Sequence, residues 1–136
     1  MELKNSRLQS VNVYLKYLVE SGVPAKVNRA AFMLNQKLGS LIEEQFASQK
    51  RLLESYGLSP DDDGNYSIAN LDAETQVKVN QELQEGLAET AIVEPGYKEQ
   101  FIVLKEFIEE YEGIIPSEQT VGFNFLYDAL ATQAIK

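Results

Sequence analysis

The stretch PAKVNRAAFMLNQKLGSLIEEQFASQKRLLESYG, residues 24–57, decides the fold class. Val27, Ala31, Leu34, Leu38, Leu41 and Ile42 recur at helical spacing, and the stripe continues through Phe46, Leu53 and Tyr56. That period lays one apolar face along an α-helix. Pro24 suits the first helical position, because its missing N–H is one a helix leaves unpaired anyway. Gly57 suits the stop. At about 1.5 Å per residue such a helix is roughly 48 Å long. That is long for a globule of 136 residues. The helix therefore either bends near Gly39-Ser40 or stands out as the spine of a hairpin or a dimer.

Before this helix, Leu8, Val11, Leu15 and Leu18, with Tyr14 beside them, predict a first helix over 5–20. Asn5 or Ser6 is its expected cap and Gly22 its terminator. After it, residues 58–71 form a turn-rich break, with Ser59-Pro60-Asp61-Asp62-Asp63-Gly64-Asn65 at its centre. Asp63-Gly64 is the dipeptide of a tight hairpin, so Tyr66-Ser67-Ile68 is read as a short strand. Ala91-Ile92-Val93 is its expected partner. Asp72 caps a third helix over 73–89, with Val77, Val79, Leu83 and Leu87 along it. A fourth helix over 97–112 carries Phe101, Leu104, Ile108 and Tyr111 and stops at Gly113. Ser117 caps a fifth, which runs to about Ala134 and buries Phe123, Leu126, Tyr127, Leu130 and Ile135. The expectation is a mainly α single domain over 1–136: about five helices in a bundle with one long helical hairpin element. A minor two-stranded β element accompanies it.

Composition narrows the chemistry. Apolar residues make up 44% of the chain, enough for one core. There is no Cys, so disulfides, thiolate nucleophiles and sulfur-bound zinc are excluded. There is no His, which removes Ser-His and Cys-His pairs within the chain and the commonest transition-metal ligand. No phosphate-cradling loop, dinucleotide fingerprint or nucleophile elbow is present. The expectation is a protein that is not an enzyme and takes no cofactor or metal. A hydrolase built on paired carboxylates is the remote alternative. The start, Met1–Arg7, is polar and unlike a signal peptide, and no apolar run approaches the roughly 20 residues of a membrane span. A cytoplasmic, membrane-free protein follows.

Charge is uneven. Residues 1–58 carry 8 Lys/Arg against 5 Asp/Glu, so +3; residues 59–136 carry 4 against 16, so −12. An acidic half points either to a basic partner or to well-solvated helix faces. It disfavours direct nucleic-acid binding, since phosphate is repelled. Two clusters are the candidate partner-binding residues. Asp61, Asp62 and Asp63 share the turn; Glu109, Glu110 and Glu112 close the fourth helix, where they oppose its macrodipole. An EF-hand register through Gly64 places Ser59 and Asn70 at the first and twelfth loop positions, so the closing Glu is missing. The run is therefore read as a polar turn. Seven tyrosines add amphipathic side chains of the kind found half-buried and at interfaces.

The opening Met1–Val11, the segment Lys26-Val27-Asn28-Arg29 and Asp63-Gly64-Asn65-Tyr66 together resemble a family of small proteins from tailed phages and prophages of Gram-positive bacteria. Only Lys26 and Arg29 are basic at the second helix start, where a denser basic cluster is usual in that family. The resemblance implies a phage accessory protein inside the infected cell. Together with the missing catalytic chemistry and the charge split, it leads to the expectation of a host-cytoplasmic protein that binds another protein, one version being inhibition of a host defence enzyme through the acidic half. The alternative it leaves is a structural or assembly component of the virion, such as a tail chaperone, for which the long helix supplies a surface for homo-oligomers.

Overall fold

The computed structural model describes residues 1–93 and 95–132, with Pro95 by its backbone alone. The fold is mainly α, with five helices and a two-stranded antiparallel ribbon. In order they are β1 (Glu2–Lys4), α1 (Asn5–Glu20), α2 (Ala25–Ser55), α3 (Ala73–Ala88), β2 (Thr90–Ile92), α4 (Lys98–Glu110) and α5 (Thr120–Ala131). Short 3-10 turns at Pro95–Tyr97 and Ser117–Gln119 lead into the last two helices. The expected fifth-helix end at Ala134 and the packing of Ile135 lie outside the described residues. No described helix is long and apolar enough to cross a membrane.

Helix α1 packs between α2 and α5, and α4 closes the bundle against α2. Helices α1 and α2 run antiparallel. Asn35 Nδ2 donates to the Asn12 carbonyl at 3.1 Å and to its side-chain oxygen at 2.8 Å, and Asn28 Nδ2 donates to the Val19 carbonyl at 2.8 Å. Leu8, Val11, Leu15, Leu34, Leu38, Leu104 and Leu126 have no exposed surface. Each buried leucine of this kind stabilises the fold by about 1.5–3 kcal/mol of transfer free energy. Helix α5 approaches α1 closely at Gly122. A Cβ there would sit 2.9 Å from Tyr14 Cβ and 3.0 Å from the Ser10 carbonyl carbon, so only a bare backbone fits. One turn further along α5, the Arg7 guanidinium lies 4.4 Å from the centre of the Phe125 ring, a favourable cation–π geometry.

Helix α2 does two jobs along its length. Its buried residues are Val27, Ala30, Ala31, Leu34 and Leu38, all in the first half. Beyond Gly39 none is fully buried; Leu41 and Ile42 still pack against the edge of the core, and Leu52, Leu53 and Tyr56 further out are only half-buried. The second half of α2, the turn-rich break and α3 thus form a two-helix arm that leaves the bundle. Of the two expectations for the long helix, the hairpin spine is the one the structure adopts. Gly57, at φ +79°, ends α2, and Gly22, at φ +81°, ends α1.

Several local expectations change. Residues 66–68 form no strand. β2 pairs instead with β1, in the register Glu2↔Ile92, Leu3↔Ala91, Lys4↔Thr90. The Val93 amide extends the ladder to the Met1 carbonyl at 2.8 Å. The Asp63-Gly64 turn does close, since the Gly64 amide donates to the Asp61 carbonyl at 3.0 Å, but no ribbon grows from it. Neither Asn5 nor Ser6 caps α1; the N-cap position is Lys4, without a side-chain bond. Phe46, Val77, Tyr111 and Tyr127 lie on helix faces that no other element covers fully, and are exposed rather than core.

Candidate functional site

The arm is held to the bundle by its base. Asn5 Nδ2 donates to the Gly86 carbonyl at 2.9 Å, and the Asn5 amide donates to the Glu89 carbonyl at 2.8 Å. The residue expected to cap α1 therefore satisfies the C-terminal end of α3, whose last carbonyls lack partners within their own helix. Along the arm, the Tyr56 hydroxyl donates to the Glu82 carboxylate at 2.9 Å and so links α2 to α3. Accepting that bond as a carboxylate, Glu82 holds the Tyr56 hydroxyl above its ordinary range. The Tyr66 hydroxyl donates to Glu54 at 2.9 Å and pins the break to α2. Asp72 caps α3 as expected, its carboxylate accepting from the Thr75 amide at 2.7 Å. Those bonds favour the ionised form and hold Asp72 below its ordinary value.

Packing in the arm is sparse. Val79 is the one fully buried residue of α3, and it lies outside the contiguous core. Between the two arm helices this leaves a groove of about 450 Å³. Leu41, Leu52 and Leu83 supply its apolar surface, and Glu44, Glu82 and Glu89 its charge. No Lys or Arg lines it. The groove sits in a strongly negative setting. Residues 41–89 carry 3 Lys/Arg against 11 Asp/Glu, so −8. The rest of the chain carries 9 against 10, so −1. The acidity that the sequence assigns to a half belongs, in space, to the arm.

The two predicted clusters are not brought together. Asp61, Asp62 and Asp63 are exposed at the arm's tip, past the end of α2. The Asp61 carboxylate is engaged by its own loop, accepting from the amides of Asp63 and Asn65 at 2.9 Å each. Glu109, Glu110 and Glu112 are exposed at the other extreme, at the end of α4, whose Phe107 and Tyr111 stand beside the turn that starts α2. The length of α2, roughly 46 Å for 31 residues, separates them. Glu109 also meets Lys105 at 3.9 Å, an exposed pair of little energetic weight. Among the described residues no three carboxylates converge as metal ligands do.

The groove carboxylates Glu44, Glu82 and Glu89 belong to no run in the sequence. Their juxtaposition depends on how α3 folds back on α2, which local patterning does not encode. The excess of acid over base between Leu41 and Glu89 was the available signal, and a division at residue 58 cuts it in two. No family model matches the chain, and no curated protein or solved structure matches it significantly.

Proposed function

We propose that this chain is a phage accessory protein that acts by binding another protein, with the acidic arm as its contact surface. The observation that carries the proposal is the placement of −8 of the net −9 on one projecting two-helix element. A concentrated field of one sign steers association with a surface of the opposite sign and rejects like-charged partners. The partner class is a basic protein of the host cytoplasm, one that otherwise holds nucleic acid, a defence enzyme being the concrete case. The leucines of the groove supply the desolvated contact that charge alone does not. Capture from host lysate tests this, using the native protein beside a variant with Glu44→Lys, Glu89→Lys and, at an exposed position of α3, Glu85→Lys. A basic partner held by the native protein, released as salt rises and lost in the variant, supports the proposal. A partner that ignores both salt and the reversal refutes it.

The exposed apolar residues Phe46 and Val77, one on each arm helix, favour a second reading. They suit an assembly component of the virion whose arm meets other copies of the chain. Light scattering across a concentration series separates the two: a strict monomer counts against assembly.

A further inference from the structure

The groove of the arm is straight. Its α2 wall is Leu41, Glu44, Gln45, Ser48, Gln49 and Leu52, which follow one another at alternate steps of three and one. That spacing puts them in a single stripe along the helix. Glu82, Gly86 and Glu89, at steps of four and three, form the facing stripe on α3. From Leu41 to Leu52 the groove runs about 16 Å, at about 1.5 Å per residue. Gly86 keeps its middle open, since a Cβ there meets nothing within 4 Å.

These walls select the form of an occupant. Within α2 and α3 the backbone amides and carbonyls are taken by their own helices. An extended segment laid on them would lose water from its inward-facing backbone groups and find no partners there. An α-helix arrives with its backbone already paired. The volume of about 450 Å³ compares with about 150 Å³ for a site that holds a benzene ring, so about three large apolar side chains fit. Three such residues at i, i+4 and i+7 of a helix span about 10 Å, within the length of the groove.

Charge selects the chemistry. Glu44 and Glu89 are exposed at the two walls, and neither is paired with a Lys or Arg among the described residues. No Lys or Arg lines the groove. A second copy of the chain would bring another arm of −8 against this one, and nucleic acid would bring phosphate; both are repelled.

We propose that the groove binds an amphipathic α-helix of a partner protein, about three turns long, with leucine-like residues at i, i+4 and i+7 and Lys or Arg flanking them. The helix lies on Leu41, Leu52 and Leu83 and completes a three-helix bundle with the outer half of α2 and α3. This rests on the arm being the contact surface for a basic protein, and it names the element that is held: an apolar helix face between basic flanks.

The probe is a synthetic peptide of about 15 residues, made of Leu, Lys and Ala in that spacing and short enough to be largely unfolded alone. Beside it stands a peptide of the same composition in scrambled order. In NMR titrations of the whole chain, the ordered peptide should bind at least about tenfold more tightly than the scrambled one. It should also gain helix by circular dichroism and shift the amides of residues 44–49 and 83–89. Two variants of equal charge separate the groove from the general field of the arm. Ser48→Lys places a cation in the groove, and Gln84→Lys places one on α3 outside its lining; both positions are exposed, so neither change burdens the fold. The ordered peptide should lose about tenfold in Ser48→Lys and less than about twofold in Gln84→Lys. Equal binding of the two peptides, equal losses in the two variants, or a bound peptide without helix would each overturn the helix proposal and leave the acidic arm as a contact surface. No binding of either peptide, even at low salt, would overturn both. Shifts at the same amides when the chain alone is concentrated would give the groove to a second copy and overturn the proposal.

Discussion

Replacing Gly122 with alanine should destabilise the protein, although the same change in the middle of a helix ordinarily stabilises it. A Cβ at this position meets Tyr14 Cβ at 2.9 Å and the Ser10 carbonyl carbon at 3.0 Å. Carbon atoms rest about 3.5–4.0 Å apart, so α5 must retreat from α1 by the better part of an ångström. Overpacking of this kind costs about 1–3 kcal/mol. Because the obstacles are the Ser10 backbone and a Cβ whose place the backbone fixes, no side-chain rotation relieves them, and the upper end applies. Against it stands the roughly 1 kcal/mol by which alanine favours a helix over glycine. The net loss is about 2 kcal/mol, which for a domain of this size lowers Tm by about 6–10 °C. Gly86 is the internal control. It lies in α3, and a Cβ there meets nothing within 4 Å. Gly86→Ala should therefore gain about 0.5–1 kcal/mol from helix propensity alone. Thermal and urea unfolding followed by circular dichroism read both. If Gly122→Ala is as stable as the parent, the close α1–α5 approach is not what makes glycine necessary, and the argument fails.

Two further outcomes follow from the division between bundle and arm. Leu34→Ala, in the fully buried half of α2, should cost about 3 kcal/mol through lost burial and a residual cavity, whereas Phe46→Ala on the exposed arm face should cost under about 0.5 kcal/mol; urea midpoints compare them, and equal losses would contradict the division. Asp72 links arm stability to pH. Its folded pKa lies below the ordinary 3.8, so its contribution is complete above that value and is lost as pH falls through the folded one. Amide exchange in α3 should rise over that acid range and lose the dependence in Asp72→Asn, which keeps a capping oxygen without the titration. A dependence that survives in the variant would assign the effect to another carboxylate.

The helices were legible because what makes them is local. An α-helix closes its hydrogen bonds four residues apart, so the period of Val27, Ala31, Leu34 and Leu38 and the punctuation by Gly22, Gly57 and Asp72 place α1, α2 and α3 within a residue of where they stand. The candidate site was much less legible. Acidic runs such as Asp61–Asp63 are conspicuous in one dimension, but the groove carboxylates Glu44, Glu82 and Glu89 are neighbours only after α3 folds back on α2. An apolar stripe also reads the same whether three helices cover it or one. Leu34 and Phe46 therefore look alike in sequence, though one has no exposed surface and the other is 53% exposed.

By itself, then, the sequence determined the helical class, the spans of α1, α2 and α3, the absence of Cys and His chemistry, and the excess of negative charge; α5 starts at Thr120, after a 3-10 turn at Ser117–Gln119, rather than at a Ser117 cap. Tertiary structure alone decided three things. It paired β2 with Glu2–Lys4 rather than with residues 66–68, because strand partners are chosen by chain closure over the whole fold and not by the nearest turn. It split α2 between bundle and arm, because burial depends on how many neighbours a face meets. It also gathered charge dispersed through residues 41–89 onto one projecting element, because Coulomb interactions follow distance in space rather than along the chain.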